Sequence, residues 1–120
     1  MKWITLIGDQ EFDFDSIKKI SYLNAVPTTD YNELNNRLCY EKNNEFVFFE
    51  KLINHEDFDD YLSALPFVNP NVIMMIYSSC TIAKKILLQT DFPHNIFVDN
   101  DYGIIVPLRT FIEKGLPMEP

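Results

Sequence analysis

The sequence predicts an α/β domain, with α+β also compatible, built on one mixed, mostly antiparallel sheet of about six strands with helices packed on it. Residues 72–77 form an unbroken apolar run, which is typical of a strand covered on both faces. In the segment that follows, four apolar side chains share one arc of a helical wheel. They are Ile82, Ala83, Ile86 and Leu87. A buried strand that leads directly into an amphipathic helix predicts a sheet core with cover on both sides.

The first third of the chain predicts a strand, a helix and an ambiguous segment. Residues 2–7 are rich in β-branched and aromatic side chains and predict a strand. A helix is predicted over 14–23, because apolar residues recur there and Asp13 or Asp15 can accept from free backbone N–H groups at its start. Residues 28–37 fit a short helical turn or a loop, since capping-box spacing competes with three asparagines.

The middle of the chain predicts a hairpin and a helix. Residues 38–42 and 45–50 flank the pair Asn43–Asn44, which tolerates the positive φ angles of a tight turn. In the second arm, Phe46 and Phe48 point to one face and Val47 and Phe49 to the other, so both faces of that strand need cover. Residues 54–65 show clear helical periodicity after an asparagine N-cap, and Pro66 ends the predicted helix.

The last third adds a second hairpin and a final helix. Residues 95–99 and 102–106 flank an Asp-Asn-Asp turn. Pro107 suits the first position of a helix and Gly115 suits its stop. The predicted order is therefore β-α-β-β-α-β-α-β-β-α.

The length bounds the predicted organisation. A chain of 120 residues buries about two-thirds of its extended surface, so we expect a single globular domain over 1–120. We expect residues 116–120 to form a frayed tail.

The charge is concentrated in one half of the chain. The net charge is −8, and residues 1–60 carry thirteen acids against six bases, whereas residues 61–120 carry five against four. Such a balance repels nucleic acids and anionic membranes and attracts basic proteins. No apolar run is long enough for a membrane span and no signal peptide is visible, so we expect a cytoplasmic protein.

Metal, cofactor and disulfide chemistry have no signature in the sequence. Cys39 and Cys80 are the only cysteines, and no CxxC or Cys/His cluster is present. In a signal-less chain two thiols indicate packing in a reducing compartment. We therefore expect no structural metal and no cofactor.

The weak catalytic candidate is Cys80, which follows the central strand at a helix start. A helix N-terminus favours the thiolate, and ligands often bind at the carboxyl ends of strands. A phosphate-binding C-x5-R loop, however, would need arginine at 86, where isoleucine stands. A packed cysteine and two N-capping serines, Ser78 and Ser79, explain the region better. We expect a protein without catalytic activity.

The acidic first half offers the more informative candidate site. Carboxylates and tyrosines are predicted to form a patch that docks onto a cationic protein. The predicted binding residues are Glu41, Glu45, Glu50, Glu56, Asp57, Asp59, Asp60, Tyr40 and Tyr61. A solvated face without a partner explains the same acids equally well.

Two functions are therefore expected, in order. The first is a non-catalytic acidic protein-binding domain, an immunity- or inhibitor-type neutraliser of a basic partner such as a bacterial toxin. In general character the chain resembles bacterial immunity proteins, although no stretch carries a family motif. The alternative is a small enzyme or ligand-binding module at the carboxyl ends of the strands, around Asp9, Ser78, Cys80 and Asp99. An exposed hairpin edge would also allow a homodimer.

Overall fold

In a computed structural model, the described residues form one seven-stranded antiparallel sheet with helices packed on it. The structure describes residues 2–20, 28–32, 37–42, 44–52 and 62–118. The strands are β1 Lys2–Gly8, β2 Thr28–Asn32, β3 Arg37–Lys42, β4 Glu45–Leu52, β5 Asn71–Tyr77, β6 Phe97–Asp99 and β7 Ile105–Pro107. The helices are α1 Phe14–Lys18, α2 Cys80–Leu87 and α3 Leu108–Glu113.

The strand order in space is β2-β3-β4-β5-β1-β6-β7, which places β5 at the centre. The predicted class, a domain of helices on a mostly antiparallel sheet, is confirmed, and every strand pair described is antiparallel. The sequence predicts about six strands, and the strand it does not predict is β2. This strand lies in the segment predicted to form a short helical turn or a loop. Pairing with β3 supplies the hydrogen bonds that decide between those local alternatives.

The central position of β5 agrees with its apolar run. Its neighbours are β4 and β1, and six of its seven residues are apolar. Val72, Ile73, Met75, Ile76 and Tyr77 are buried, although successive residues point to opposite faces. The strand is therefore covered on both sides, as the sequence predicts.

All three described helices pack on the same face of the sheet, which we call the core face. The hydrophobic core lies between alternate side chains of the strands and the apolar side chains of the helices. The strands contribute Ile4, Leu6, Val47, Phe49, Ile73 and Met75, and the helices contribute Phe14, Ile17, Ile82, Ala83, Ile86, Leu87, Leu108 and Phe111. These residues form one contiguous core, so the helices are segregated to one side.

The opposite face, which we call the outer face, is covered at one end by residues 62–67. Ile7, Val72 and Leu62 form a second buried cluster there, with Leu65 and Phe67 packed against it. The predicted helix over 54–65 falls largely outside the described residues. This second layer protects one end of the outer face from water.

The caps of the helices follow the sequence signals. Asp13 accepts a hydrogen bond of 2.8 Å from the Phe14 N–H at the start of α1. Gly115 follows α3 with a φ of 84°, the left-handed conformation of a helix stop. The helix α1 ends at Lys18, earlier than predicted, yet Ile20 is still buried in the core.

Residues 116–118 pack into the protein, although the sequence predicts a frayed tail over 116–120. Leu116 and Met118 are buried in the main core. The buried side chain of Asn100 donates a hydrogen bond of 2.8 Å to the Pro117 carbonyl. Its amide oxygen accepts from the N–H groups of Tyr102 and Ile104, so one residue fixes both the β6–β7 turn and the tail.

The edge strand β7 has little free hydrogen-bonding capacity. Val106 is opposite Val98 in the register, and the Asn100 and Leu108 N–H groups bond across to Ile104 and Ile96. In an antiparallel ladder this turns the Val106 N–H toward β6 and the backbone groups of residues 105 and 107 outward. Residue 107 is a proline, so only one N–H group of the strand points outward.

Candidate functional site

The β3–β4 hairpin brings charged and aromatic side chains together on the outer face. Arg37 is opposite Glu50 in the register, and Glu41 is opposite Phe46. Directly opposed residues of an antiparallel pair point to the same face. Phe48, opposite the buried Cys39, lies between these two pairs along β4, so five charged or aromatic side chains follow one another along the hairpin.

Three of these side chains, those of Arg37, Phe48 and Glu50, lie close to one another. The Arg37 guanidinium lies 5.5 Å from the centre of the Phe48 ring, and its Nη2 atom lies 3.9 Å from Glu50 Oε1. The two charged side chains are 40% and 34% exposed, so their attraction is screened by water. The ring and the carboxylate together hold the cation on the sheet surface.

The other two side chains have no such cation. Glu41 is exposed, and the described residues provide no ion pair for its carboxylate. Phe46 is half-buried and stacks on Phe48, with ring centres 4.8 Å apart and planes 26° from parallel. The stacked rings extend one aromatic surface from Arg37 to Glu41.

The only tryptophan of the sequence lies on the same face, across the sheet from the hairpin. Phe48 and Trp3 are both paired with Ile76 in the register, from opposite sides of β5. They are therefore two strands apart, about 10 Å, on the outer face. Trp3 is 41% exposed. We call Trp3, Phe46 and Phe48, with Glu41 and Glu50 beside them, the aromatic strip.

Glu45, a predicted binding residue, has a structural role in the described fold. Its Oε1 atom accepts a hydrogen bond of 3.0 Å from the Ser79 hydroxyl. Ser79 is the N-cap of α2, and Ser78 bonds through its hydroxyl to the backbone N–H and carbonyl of Phe46. Both serines and Glu45 thus join the start of β4 to the start of α2.

Tyr40, also predicted as a binding residue, lies in the core rather than at the surface. It is 4% exposed and packs edge-to-face against Phe49, with ring centres 6.4 Å apart. Its register partner is Val47, a core-face residue, so the pleat of β3 turns the ring inward. Tyr40 is therefore inaccessible to a partner.

The remaining predicted binding residues fall outside the described residues. They are Glu56, Asp57, Asp59, Asp60 and Tyr61. Of the predicted set, the structure places Glu41 and Glu50 on one surface. The residues that sequence reasoning missed are Trp3, Phe46 and Phe48. The period-two alternation of β4 predicted that Phe46 and Phe48 share a face, but not that this face is exposed.

The alternative site around Asp9, Ser78, Cys80 and Asp99 does not assemble at one edge of the sheet. In the antiparallel register, Gly8 is opposite Asn71 and Lys2 is opposite Tyr77. Asp9 and Ser78 therefore lie at opposite ends of the sheet, about 20 Å apart along the strands. Cys80 is half-buried against the main core, at the end of the sheet remote from Asp9.

Asp9 lines a surface pocket of about 160 Å³ with Glu11 and His94, and a more open groove continues from it. The Asp9 carboxylate accepts hydrogen bonds from the N–H groups of Glu11 and Phe12. The His94 ring bonds to the Thr90 carbonyl at 3.1 Å. These polar groups hold the loops that form the pocket, and turn chemistry accounts for them.

Neither a protein-family model, a curated protein nor a solved structure matches this chain. Among the residues that the structure describes, no cluster of three His, Cys, Asp or Glu side chains could hold a metal ion. No helix in the described part of the chain has the length and apolar character needed to cross a membrane. The candidate site is the aromatic strip, because it places exposed aromatic and acidic side chains on one surface.

Proposed function

We propose that this protein is a non-catalytic binding protein that docks a basic protein partner on the aromatic strip. The observation that carries the proposal is the exposure of Trp3 beside the half-buried stack of Phe46 and Phe48. Large aromatic side chains with an apolar body are the common anchors of protein interfaces. Here three of them share one surface of a sheet whose other face is filled by helices.

The charge of the chain supports a basic partner. The net charge is −8, and Glu41 and Glu50 flank the aromatic rings. An acidic protein attracts cationic partners over long range and repels nucleic acids and anionic surfaces. Carboxylates at the rim of an apolar patch favour association with a partner of complementary charge.

In its finer form, the proposal is that the protein neutralises its partner, as an immunity or inhibitor protein covers a basic toxin. A rigid sheet with preformed anchors suits this role, because little ordering free energy is spent on binding. The acidic surface then occupies a cationic groove of the partner. Inhibition, rather than simple binding, is the added claim.

The proposal is tested by affinity capture from a lysate of the source organism, comparing immobilised wild-type protein with the double variant Trp3→Ala, Phe48→Ala. We expect wild-type protein to retain a basic protein at 50 mM NaCl and to release it at about 300 mM, since screening shortens electrostatic reach. The double variant should fail to retain it. Val68→Ala, at an 80% exposed apolar residue outside the strip, is the matched control.

Titration of the purified partner should then show weaker binding by tenfold or more for the double variant. Fluorescence of Trp3 offers a second readout, because docking should shield it from acrylamide. The proposal is contradicted if wild-type protein and the double variant capture basic proteins equally well. It is also contradicted if no basic protein is captured whose retention requires the strip. Loss of the partner's activity on binding tests the neutralising role separately.

A further inference from the structure

A carboxylate and an aromatic ring lie close together at two places on the hairpin, once with a cation and once without one. At the first place, Arg37 lies over Phe48 beside the carboxylate of Glu50. At the second, Glu41 stands directly opposite Phe46, at a Cβ separation of about 5 Å. A carboxylate and a ring are both present there, and the described residues supply no cation.

Resting on the proposed function, we infer that Glu41 and Phe46 bind a guanidinium group of the partner, that is, an arginine side chain. An arginine placed there would stack on the exposed part of the Phe46 ring and pair with the Glu41 carboxylate. The chain itself combines the same three groups one step along the hairpin, where Arg37 supplies the cation to Phe48 and Glu50. The partner's arginine would continue the series of alternating rings and charges.

The neighbouring carboxylates are already engaged, which makes Glu41 the specific one. Glu50 faces Arg37, and Glu45 accepts the hydrogen bond from Ser79. Glu41 is exposed on the strand next to the edge strand β2. Its carboxylate can therefore meet an incoming cation without giving up another contact.

Arginine fits the site better than lysine for a geometric reason. The guanidinium is planar, stacks on aromatic faces and offers several donors in its plane to a carboxylate. An ammonium group is a compact, strongly hydrated charge that gains less from a flat ring. The ring of Phe46 already lies in a stack with Phe48, which fixes its orientation.

The experiment is an NMR titration of the 15N-labelled protein with N-acetyl-arginine amide, N-acetyl-lysine amide and N-acetyl-citrulline amide. Citrulline has nearly the same shape as arginine and carries no charge. We expect saturable shifts of the Glu41 and Phe46 amides with the arginine probe, smaller shifts with lysine and none with citrulline. Glu41→Gln should weaken binding of the arginine probe about fivefold.

The matched control is Glu113→Gln, which removes an exposed carboxylate of α3 that is remote in the fold from the strip. This variant should leave the titration unchanged. Phe46→Leu should weaken arginine binding while keeping an apolar residue at the position. Circular dichroism checks that each variant is folded.

Shifts spread evenly over the exposed carboxylates, or an affinity that Glu41→Gln leaves unchanged, would overturn the inference. Either result leaves the docking proposal intact, because that proposal is tested at Trp3 and Phe48. Conversely, arginine binding at Glu41 without any strip-dependent partner would sustain this site and contradict the proposed function. Equal shifts with lysine and arginine would overturn the guanidinium preference.

Discussion

The hydroxyl group of Ser79 donates a 3.0 Å hydrogen bond to the Glu45 carboxylate and accepts another from the Ile82 N–H. One side chain thereby caps α2 and holds it to the first residue of β4. The contact joins elements 34 residues apart in sequence. It also explains why Glu45 belongs to the framework of the fold and Glu41 to its surface.

Ser79→Ala should destabilise the protein by about 1–2 kcal/mol, because it removes the cap of α2 and the partner of Glu45. The free energy of unfolding is measured by urea titration. Thr90→Ala, at an exposed threonine beyond the same helix, is the control and should change stability by less than about 0.5 kcal/mol. Equal effects for the two variants would show that the cap contributes nothing.

Two adjacent phenylalanines of β4 should differ sharply when each is replaced by alanine. Phe49 is fully buried on the core face, so Phe49→Ala should cost about 3–5 kcal/mol through the cavity it leaves. Phe48 is half-buried on the outer face, and Phe48→Ala should cost about 1 kcal/mol. Thermal denaturation of both variants tests the assignment of faces, and a reversed order would contradict the register.

Gly8→Ala should be destabilising because of a close contact rather than an unusual φ angle. A Cβ atom at this position would lie 2.5 Å from Phe12 Cβ and 2.7 Å from its ring. Phe12 is buried, so relief requires movement of the loop, at about 1–3 kcal/mol.

The comparison for Gly8→Ala is Gly103→Ala, where the added Cβ meets no atom within 4 Å but φ is 94°. We expect unfolding in urea at lower concentration for both variants, for different reasons. The nearest atom is the Cβ of Phe12, which every residue except glycine keeps, so Phe12→Leu in the same chain should not restore the stability of the Gly8 variant. Full rescue by Phe12→Leu would show that the ring, and not the Cβ atom, makes the contact.

The two cysteines should react at different rates in the folded protein. Cys80 is half-buried and Cys39 is 4% exposed. Ellman's reagent should therefore modify Cys80 first and reach Cys39 only when the sheet opens. The Cys80→Ser variant should show no fast phase, whereas two fast thiols in the wild-type protein would contradict the burial of Cys39.

Local patterns in the sequence predicted much of the fold correctly. The apolar run of β5, the apolar arc of α2 and the capping residues Asp13 and Ser79 all report on neighbours within a few positions. The strand β2 was missed because its hydrogen bonds come from β3, a partner that local propensity does not specify. The position of the three described helices on one face of the sheet depends on long-range packing in the same way.

The candidate site was only partly predictable for a related reason. The alternation of β4 separated Phe46 and Phe48 from Val47 and Phe49, but exposure depends on what covers each face. Tyr40 was expected at the surface as an aromatic anchor among the carboxylates of the predicted patch. Tyr40 is two positions from Leu38, a core residue, on the same strand. Residues two apart in a strand point to the same face, so this spacing predicted the burial of Tyr40.

Pro107 limits how this protein can assemble with itself. Because β7 offers a single outward N–H group, another chain cannot extend the sheet there by continuous strand pairing. A filament that grows by strand pairing between copies needs two edge strands that can each pair with another chain, and β7 does not provide one of them. Within the described sheet, any self-association through backbone pairing would have to use β2 on both copies, which closes after two chains and cannot propagate.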